Sequence, residues 1–320
     1  MMIRDMHLAQ VTAYRQKRQK RDGLARRVTG LLTLTATLLV PLVAIALFFG
    51  ARSILVAKPI GELLFSETWQ PLKGSFGFFP FIMGTLWVTA LAIIFSVPPS
   101  VLTAIYLAEY ASPKMRALVK PFIDLLAGIP SVIYGVWGML IIVPFVGDYL
   151  APAVNGLLGY FRLFRNENPT GYGLLSGGIV LAVMVFPIII AVADEVISAV
   201  PDGLREASLA LGATRWQTIR LVVMREAWPG VLAAVVLGLS RAFGETMAVL
   251  MVVGNVPLVP HSIFDAAYPL TALIANNYGE MMSIPLYSAA LLAAALILLL
   301  IVLGFNVASR LVLIRLVRKD

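Results

Sequence analysis

Residues 202–217 read Asp-Gly-Leu-Arg-Glu-Ala-Ser-Leu-Ala-Leu-Gly-Ala-Thr-Arg-Trp-Gln, a polar stretch set between two long apolar segments. Asp202 follows Pro201 and is placed to cap a helix. Leu204, Ser208 and Leu211 then fall on one face of that helix. Gly212 is positioned to end it in a left-handed conformation. Thr214 and Gln217 have the spacing of a capping box for a second helix, whose apolar stripe is Trp216, Ile219 and Val223. The stretch therefore encodes helix, glycine turn, helix, with amphipathic faces that something must cover. Two coverings fit: a groove on a partner protein or the lipid surface.

Outward from this loop the chain is apolar. Of its 320 residues 60% are hydrophobic and 13% charged, and the mean hydropathy is +0.90. Soluble domains carry about 25% charged residues, so the composition indicates an integral membrane protein. A spanning helix needs about 20 predominantly apolar residues, and six such segments are legible, near 29–51, 79–108, 119–147, 173–199, 228–254 and 284–308. No ten-residue alternating pattern suggests a β-barrel. The expected fold is all-α, with six transmembrane helices.

Orientation follows from lysine and arginine placement. Nineteen of these residues fall in the N-terminal tail, the 2–3 and 4–5 loops and the C-terminus, against five in the other connections. Both termini and the 200–227 loop are thus expected in the cytoplasm. The organisation read from this is a basic, partly ordered tail over 1–27, a six-helix domain over 28–309 and a basic C-terminus over 310–320. The segment near 148–172 is long enough for a short helix lying on the membrane surface. The first apolar segment, behind its long basic tail, reads as a retained anchor rather than a cleaved signal. The net charge of +8 gathers at the cytoplasmic membrane edge, where it fixes topology and meets anionic lipid. With no cysteine, disulfides, thiolate metal sites and cysteine nucleophiles are excluded.

The fifth apolar segment contains Ser240-Arg241-Ala242-Phe243-Gly244-Glu245-Thr246-Met247. Arg241 and Glu245 are an i, i+4 pair on this segment, neighbours one turn apart that can neutralise each other. Burying either alone in lipid costs about 2.5–3.5 kcal/mol on insertion scales. Either Arg241 faces a water-filled pathway and offers an anion its planar donors, with Glu245 orienting it, or the pair is a structural salt bridge. Asp124 and the Asp194-Glu195 pair lie near helix ends and read as interfacial charges. His261 has no neighbouring ligands and is not a metal site. Pro98-Pro99, Pro130 and Pro187 interrupt spans, either to bend them for packing or to open a pathway.

No Gly-(x)4-Gly-Lys-Ser/Thr sequence occurs, so a phosphate-cradling nucleotide loop is absent. If ATP drives this protein, a separate chain supplies it. No outer segment is long enough to be a solute-binding domain.

The Glu206-Ala207-Ser208-(x)3-Gly212 signature resembles the EAA loop of prokaryotic ABC importer permeases. Gly128-Ile-Pro-Ser-Val-Ile-Tyr-Gly-Val-Trp-Gly138 and Arg241-Ala-Phe-Gly-Glu-Thr-Met-Ala-Val249 are similar to the third- and fifth-segment motifs of one branch, the phosphate permease subunits PstC. Trp69, Pro71, Pro80 and Gly84-Thr85 echo the first outer loop of that branch, and the likeness covers roughly 65–310. The chain departs where the pattern usually ends Ile-x-Leu-Pro, having Val222-Val223-Met224-Arg225. The resemblance implies a type I ABC importer permease fold in a prokaryotic cytoplasmic (inner) membrane, translocating phosphate. It implies a PstA-like second permease subunit, a PstB-like ATPase dimer and a PstS-like phosphate-binding protein. ATP and magnesium would be held by the ATPase, and this chain would be non-catalytic, without cofactor. Glu206, Ala207, Ser208 and Gly212 would couple to the ATPase, while Arg241, Glu245 and Thr246 would line the pathway. Sulfate or molybdate as substrate, a proton-coupled secondary transporter and a non-transporting scaffold or phosphate sensor are the competing readings.

Overall fold

In the computed structural model, which describes residues 2–317, six helices are long and apolar enough to cross a membrane. They are Asp22–Ala57, Phe79–Tyr110, Ser131–Leu158, Leu174–Ser198, Arg215–Gly244 and Pro285–Val312. The only strands among the described residues are Trp69–Gln70 and Ser75–Phe76, paired antiparallel around a turn with left-handed Gly74. The chain divides into two units at Gly50. In the first, the backbone is helical from Met2 onward as part of one helix, Met2–Ala57, where the sequence suggests a partly ordered tail. Apolar side chains of this unit such as Leu31, Leu32 and Leu42 are exposed, as suits a helix solvated by lipid. The end of the basic C-terminus lies outside the described residues.

Three boundaries differ from the hydropathy reading. The apolar run expected over 119–147 is two helices, Pro113–Gly128 and one starting at Ser131. Proline drives the residue before it out of the helical region, and Ile129 and Pro130 are both extended, with ψ of 129° and 139°. The Tyr134 hydroxyl donates to the Leu126 carbonyl at 2.8 Å, occupying one carbonyl at the helix end. Pro98, Pro99 and Pro187, by contrast, lie inside helices that continue. The surface helix expected within 148–172 is instead the end of the third span, which runs to Leu158 through two π-turns. The fifth span starts at Arg215 rather than 228, because the chain passes through a π-turn at Ile219–Val223 into Met224–Gly244, a helix that continues through Pro229.

Membrane helices gain no hydrophobic free energy from touching one another, so close approach and polar satisfaction decide their packing. The second and fourth spans pack through Val88, Leu91 and Ala92 against Leu174, Leu181, Met184 and Val185. Gly178 permits this approach, since a Cβ there would lie 2.6 Å from Leu91 Cβ. At the N-terminus of the fourth span the free amides of Gly173, Leu174 and Leu175 donate to the carbonyls of Val252, Asp265 and Ile263, at 3.1, 2.9 and 2.8 Å. The irregular segment 251–269 is thereby welded to the bundle. A second core gathers Ala51, Ile54 and Leu63 with Phe76, Phe78 and Phe81, and with Tyr287, Leu291 and Ala294 of the sixth span.

Gly178→Val should overpack the second and fourth spans and cost about 1–3 kcal/mol. Thermal unfolding in detergent, with Gly156→Ala in open space as the control, should show the first lowered and the second unchanged.

Candidate functional site: an exposed helix pair and an interrupted span

The helix pair forms as its sequence directs. Residues Asp202–Ala210 are helical, with Pro201 rather than Asp202 in the capping position and Asp202 in the first turn. Pro201 cannot donate and its fixed φ suits a helix entrance, which moves the boundary by one residue. Gly212 has φ +85°, and the second helix opens with the full Thr214–Gln217 capping box. Ser208 Oγ and Thr218 Oγ1 lie 2.9 Å apart, joining the two helices across the turn.

The first helix buries none of its residues. Glu206, Ala207 and Gly212 are exposed, Ser208 is half-buried, and Leu204, Leu209, Leu211 and Trp216 are exposed apolar side chains around them. Leu211 is 90% exposed. The stripe expected from Trp216, Ile219 and Val223 divides, because only Ile219 and Val223 are buried. The inward side is polar. Arg205 pairs with the nearly buried Glu109 at 2.7 Å, and Arg215 donates to the Glu109 carbonyl and lies over the Tyr110 ring at 4.9 Å.

The far end of the fifth span holds the intramembrane charges, about 39 Å of helical rise from Arg215. Here the helical pair expected of Arg241 and Glu245 is not formed. The helix ends at Gly244, and Glu245 is extended with ψ 129°. The Glu245 carboxylate accepts from the Ala248 amide at 3.3 Å, in the short helix Met247–Leu250. Its carbonyl accepts from the Thr271 hydroxyl at 3.0 Å. A carboxylate in a low-dielectric site needs donors, and the first free amides of a helical turn supply one. The interruption thus satisfies Glu245 without Arg241.

Arg241 is left exposed, with no hydrogen bond or ion pair of its guanidinium among the described residues. It lies within electrostatic range of the Tyr134 phenol. Thr246 is half-buried, and its hydroxyl meets only the Gly244 carbonyl at 3.4 Å. The two motif stretches come together here. A Cβ on Gly135 would lie 3.2 Å from Ala248 Cα and 3.4 Å from the Met247 carbonyl, so the helix after the Ile129-Pro130 break and the helix after the Glu245 break approach closely there. Tyr134, Thr271 and Asn306, whose amide oxygen accepts from Ser240 at 2.8 Å, belong to this neighbourhood without having stood out in the sequence. Each is an ordinary residue type whose partner is distant along the chain.

The remaining charges fall differently. Asp194, near the end of the fourth span, is buried and held by Arg116 at 2.9 Å and Lys120 at 2.8 Å. It fastens the helix Pro113–Gly128 to the fourth span. Beside it, Lys120, Asp124, Asp194 and Glu195 line a cavity of about 290 Å³. His261 is exposed, and its amide donates to Asp265. Among the described residues no cluster of three histidines or carboxylates is placed to hold a metal ion.

Residues 100–318 match the family described as "Binding-protein-dependent transport system inner membrane component". The chain is 37% identical over 281 residues to "Phosphate transport system permease protein PstC" of Xylella fastidiosa (strain 9a5c), covering 87% of this chain and 86% of the relative. It is 38% identical over 298 residues to "Probable ABC transporter permease protein YqgH" of Bacillus subtilis (strain 168), covering 88% and 91%. Among solved structures, the inward-facing MetNI methionine ABC transporter superposes with a TM-score of 0.54 at 20% identity, over 78% of this chain and 99% of that one. A bacterial alginate ABC transporter gives 0.52 at 18%, over 86% and 92%. At such identities the structures speak for the fold alone.

Gly212→Ala should place a Cβ in the left-handed region at a cost of about 1–2 kcal/mol. Hydrogen exchange of the 202–211 amides should quicken accordingly, while exchange in the fourth span stays as it is.

Proposed function

Because this chain belongs to the family of binding-protein-dependent transport system inner membrane components, we propose that it is the multi-pass membrane permease subunit of an ATP-driven importer of inorganic phosphate. The observation that carries this reading is the helix Asp202–Ala210, which is rigidly seated yet buries none of its residues. A monomer seldom leaves such an apolar-edged surface uncovered, and a groove on an ATPase subunit suits a short amphipathic helix. The lysine and arginine asymmetry puts this loop and both termini in the cytoplasm. The sequence has no nucleotide loop of its own, so ATP and magnesium belong to the ATPase, and this chain is non-catalytic and without cofactor.

Phosphate as the substrate is supported by the names of the relatives and by the chemistry of Arg241. A guanidinium in a membrane span with no carboxylate on it needs water or an anion, and its planar fork matches two phosphate oxygens. Glu245 and Thr246 shape the pathway by holding the helix break open beside it. The working assembly is this chain with a PstA-like second permease subunit, a PstB-like ATPase dimer and a PstS-like phosphate receptor. ATP-driven closure of the ATPase dimer drags Glu206, Ala207, Ser208 and Gly212, and the bundle switches the side to which Arg241 opens.

Labelled-phosphate uptake in cells lacking their own importers, with this chain and its partners restored, tests the whole. Uptake should require this chain, ignore excess sulfate and survive a proton uncoupler while ATP is maintained. Loss to the uncoupler at constant ATP would indicate a proton-coupled carrier, and inhibition by sulfate another oxyanion. Arg241→Gln should reduce uptake at least 100-fold, on the order expected when a central charge–anion contact is removed, with assembly intact. Glu206→Lys should release the ATPase subunit in a pull-down, and retention with normal stimulated hydrolysis would count against the docking surface.

A further inference from the structure

Exposed Glu206, Ala207 and Gly212 make up the outward face of the loop, and its inward face holds a grip centred on Arg205. Arg205, the residue before the exposed Glu206, directs its guanidinium into the bundle. Its Nε and Nη2 donate to Glu109 Oε1 at 3.1 and 2.7 Å. Its Nη2 also donates to the Ile197 carbonyl at 3.0 Å, and its Nη1 to the Val200 carbonyl and to Asp202 Oδ1, the latter at 3.1 Å. One side chain thereby binds the ends of two spans at once, Glu109 closing the second and Ile197 closing the fourth. The Glu109 carboxylate is 7% exposed, so removing Arg205 would leave a nearly buried charge without its partner.

The second loop helix reaches the same residue from the other side. Arg215 donates to the Glu109 carbonyl and covers the Tyr110 ring. Residues Tyr106–Tyr110 form a π-turn, where the backbone ladder is already stretched to i+5. Glu109 therefore receives both loop helices, one through its side chain and one through its backbone. Apolar anchoring plays no part for the first of them, because Asp202–Ala210 buries no residue, and only Arg205 and Ser208 are even half-buried.

We propose that Arg205 and Glu109 form the link through which a load on the docking loop is delivered to the second and fourth spans. The proposal rests on the docking reading above. Arg205 acts as a positioning residue, since it touches neither substrate nor nucleotide. A flexible apolar contact would let the short helix slide over the bundle. A planar fork locked to a carboxylate and two span-end carbonyls moves with them or breaks. The spans so gripped are the ones packed along Val88, Leu91, Leu181 and Met184. The fourth span is in turn bonded at its other end to the 251–269 segment that follows the Glu245 break. Lysine at 205 would keep the charge and lose the fork.

The test uses the complete transporter, this chain with its partner subunits, reconstituted in proteoliposomes. Three quantities are read: ATPase subunit retained through gel filtration, ATP hydrolysed, and labelled phosphate taken up per ATP. Arg205→Gln and Glu109→Gln should each retain the ATPase subunit and hydrolyse ATP, yet lower phosphate per ATP by about tenfold, within the usual range of coupling between sites. The double variant should fall no further than either single one, because both remove the same link. Arg205→Lys should lie between Arg205→Gln and the native chain.

Phosphate per ATP unchanged in either neutral variant, losses that multiply in the double variant, or full coupling in Arg205→Lys would each overturn the proposal. Release of the ATPase subunit from the Arg205→Gln complex would overturn it too, by making Arg205 part of the docking surface. A native chain that never retains the ATPase subunit would sink the docking reading itself, a failure visible before any variant is compared.

Discussion

In hydrocarbon there is no water to accept a backbone proton, so each amide and carbonyl has to find its partner within the protein. Most of this chain answers with uninterrupted helix. The informative places are where it does not. At Ile129-Pro130 the freed Leu126 carbonyl takes the Tyr134 hydroxyl. At Glu245-Thr246 the broken helix is closed by a carboxylate on the Ala248 amide and a threonine hydroxyl on the Glu245 carbonyl. At Gly173 the first amides of the fourth span take carbonyls from a segment about 80–90 residues away. Each of these three irregularities draws such a bond, and the helices that follow the two breaks carrying the most distinctive motifs approach closely at Gly135.

The same accounting applies to charge. Buried Asp194 holds Arg116 and Lys120, and nearly buried Glu109 holds Arg205. These pairs sit where helices meet near the helix-pair loop, and each ties together segments about 75–95 residues apart. Among the described residues the Arg241 guanidinium has no such partner. A cation of that kind in a membrane span is sustained only by what a single chain does not contain: water, an anion or a neighbouring subunit.

The features legible in the sequence were those written locally. Six apolar runs, the left-handed Gly212 and the Thr214–Gln217 box each depend on a few adjacent residues. What depended on distant partners was not legible. Hydropathy reads 119–147 as one run because a proline costs nothing on that scale, although it sets ψ of its neighbour. Arg241 and Glu245 invite pairing because four-residue spacing presumes an unbroken helix, and Gly244 ends it. Glu109 and Arg205 are 96 residues apart, and nothing in either neighbourhood names the other. Asp194 looked like one more charge at a helix end because burial is a property of the fold, not of the helix.

Helix N-termini are the usual places for a protein to hold an oxyanion, through bare amides and the positive end of the dipole. Near the Glu245 break, N-terminal amides of two helices are already engaged. The fourth span has given its amides to three carbonyls, and the turn at Met247 is closed by a carboxylate. On the reading proposed above for Arg241, an ion arriving there would rest mainly on the guanidinium fork, with these amides already taken, so salt should screen its hold readily. Such a site trades retention for release: a stepping stone rather than a store.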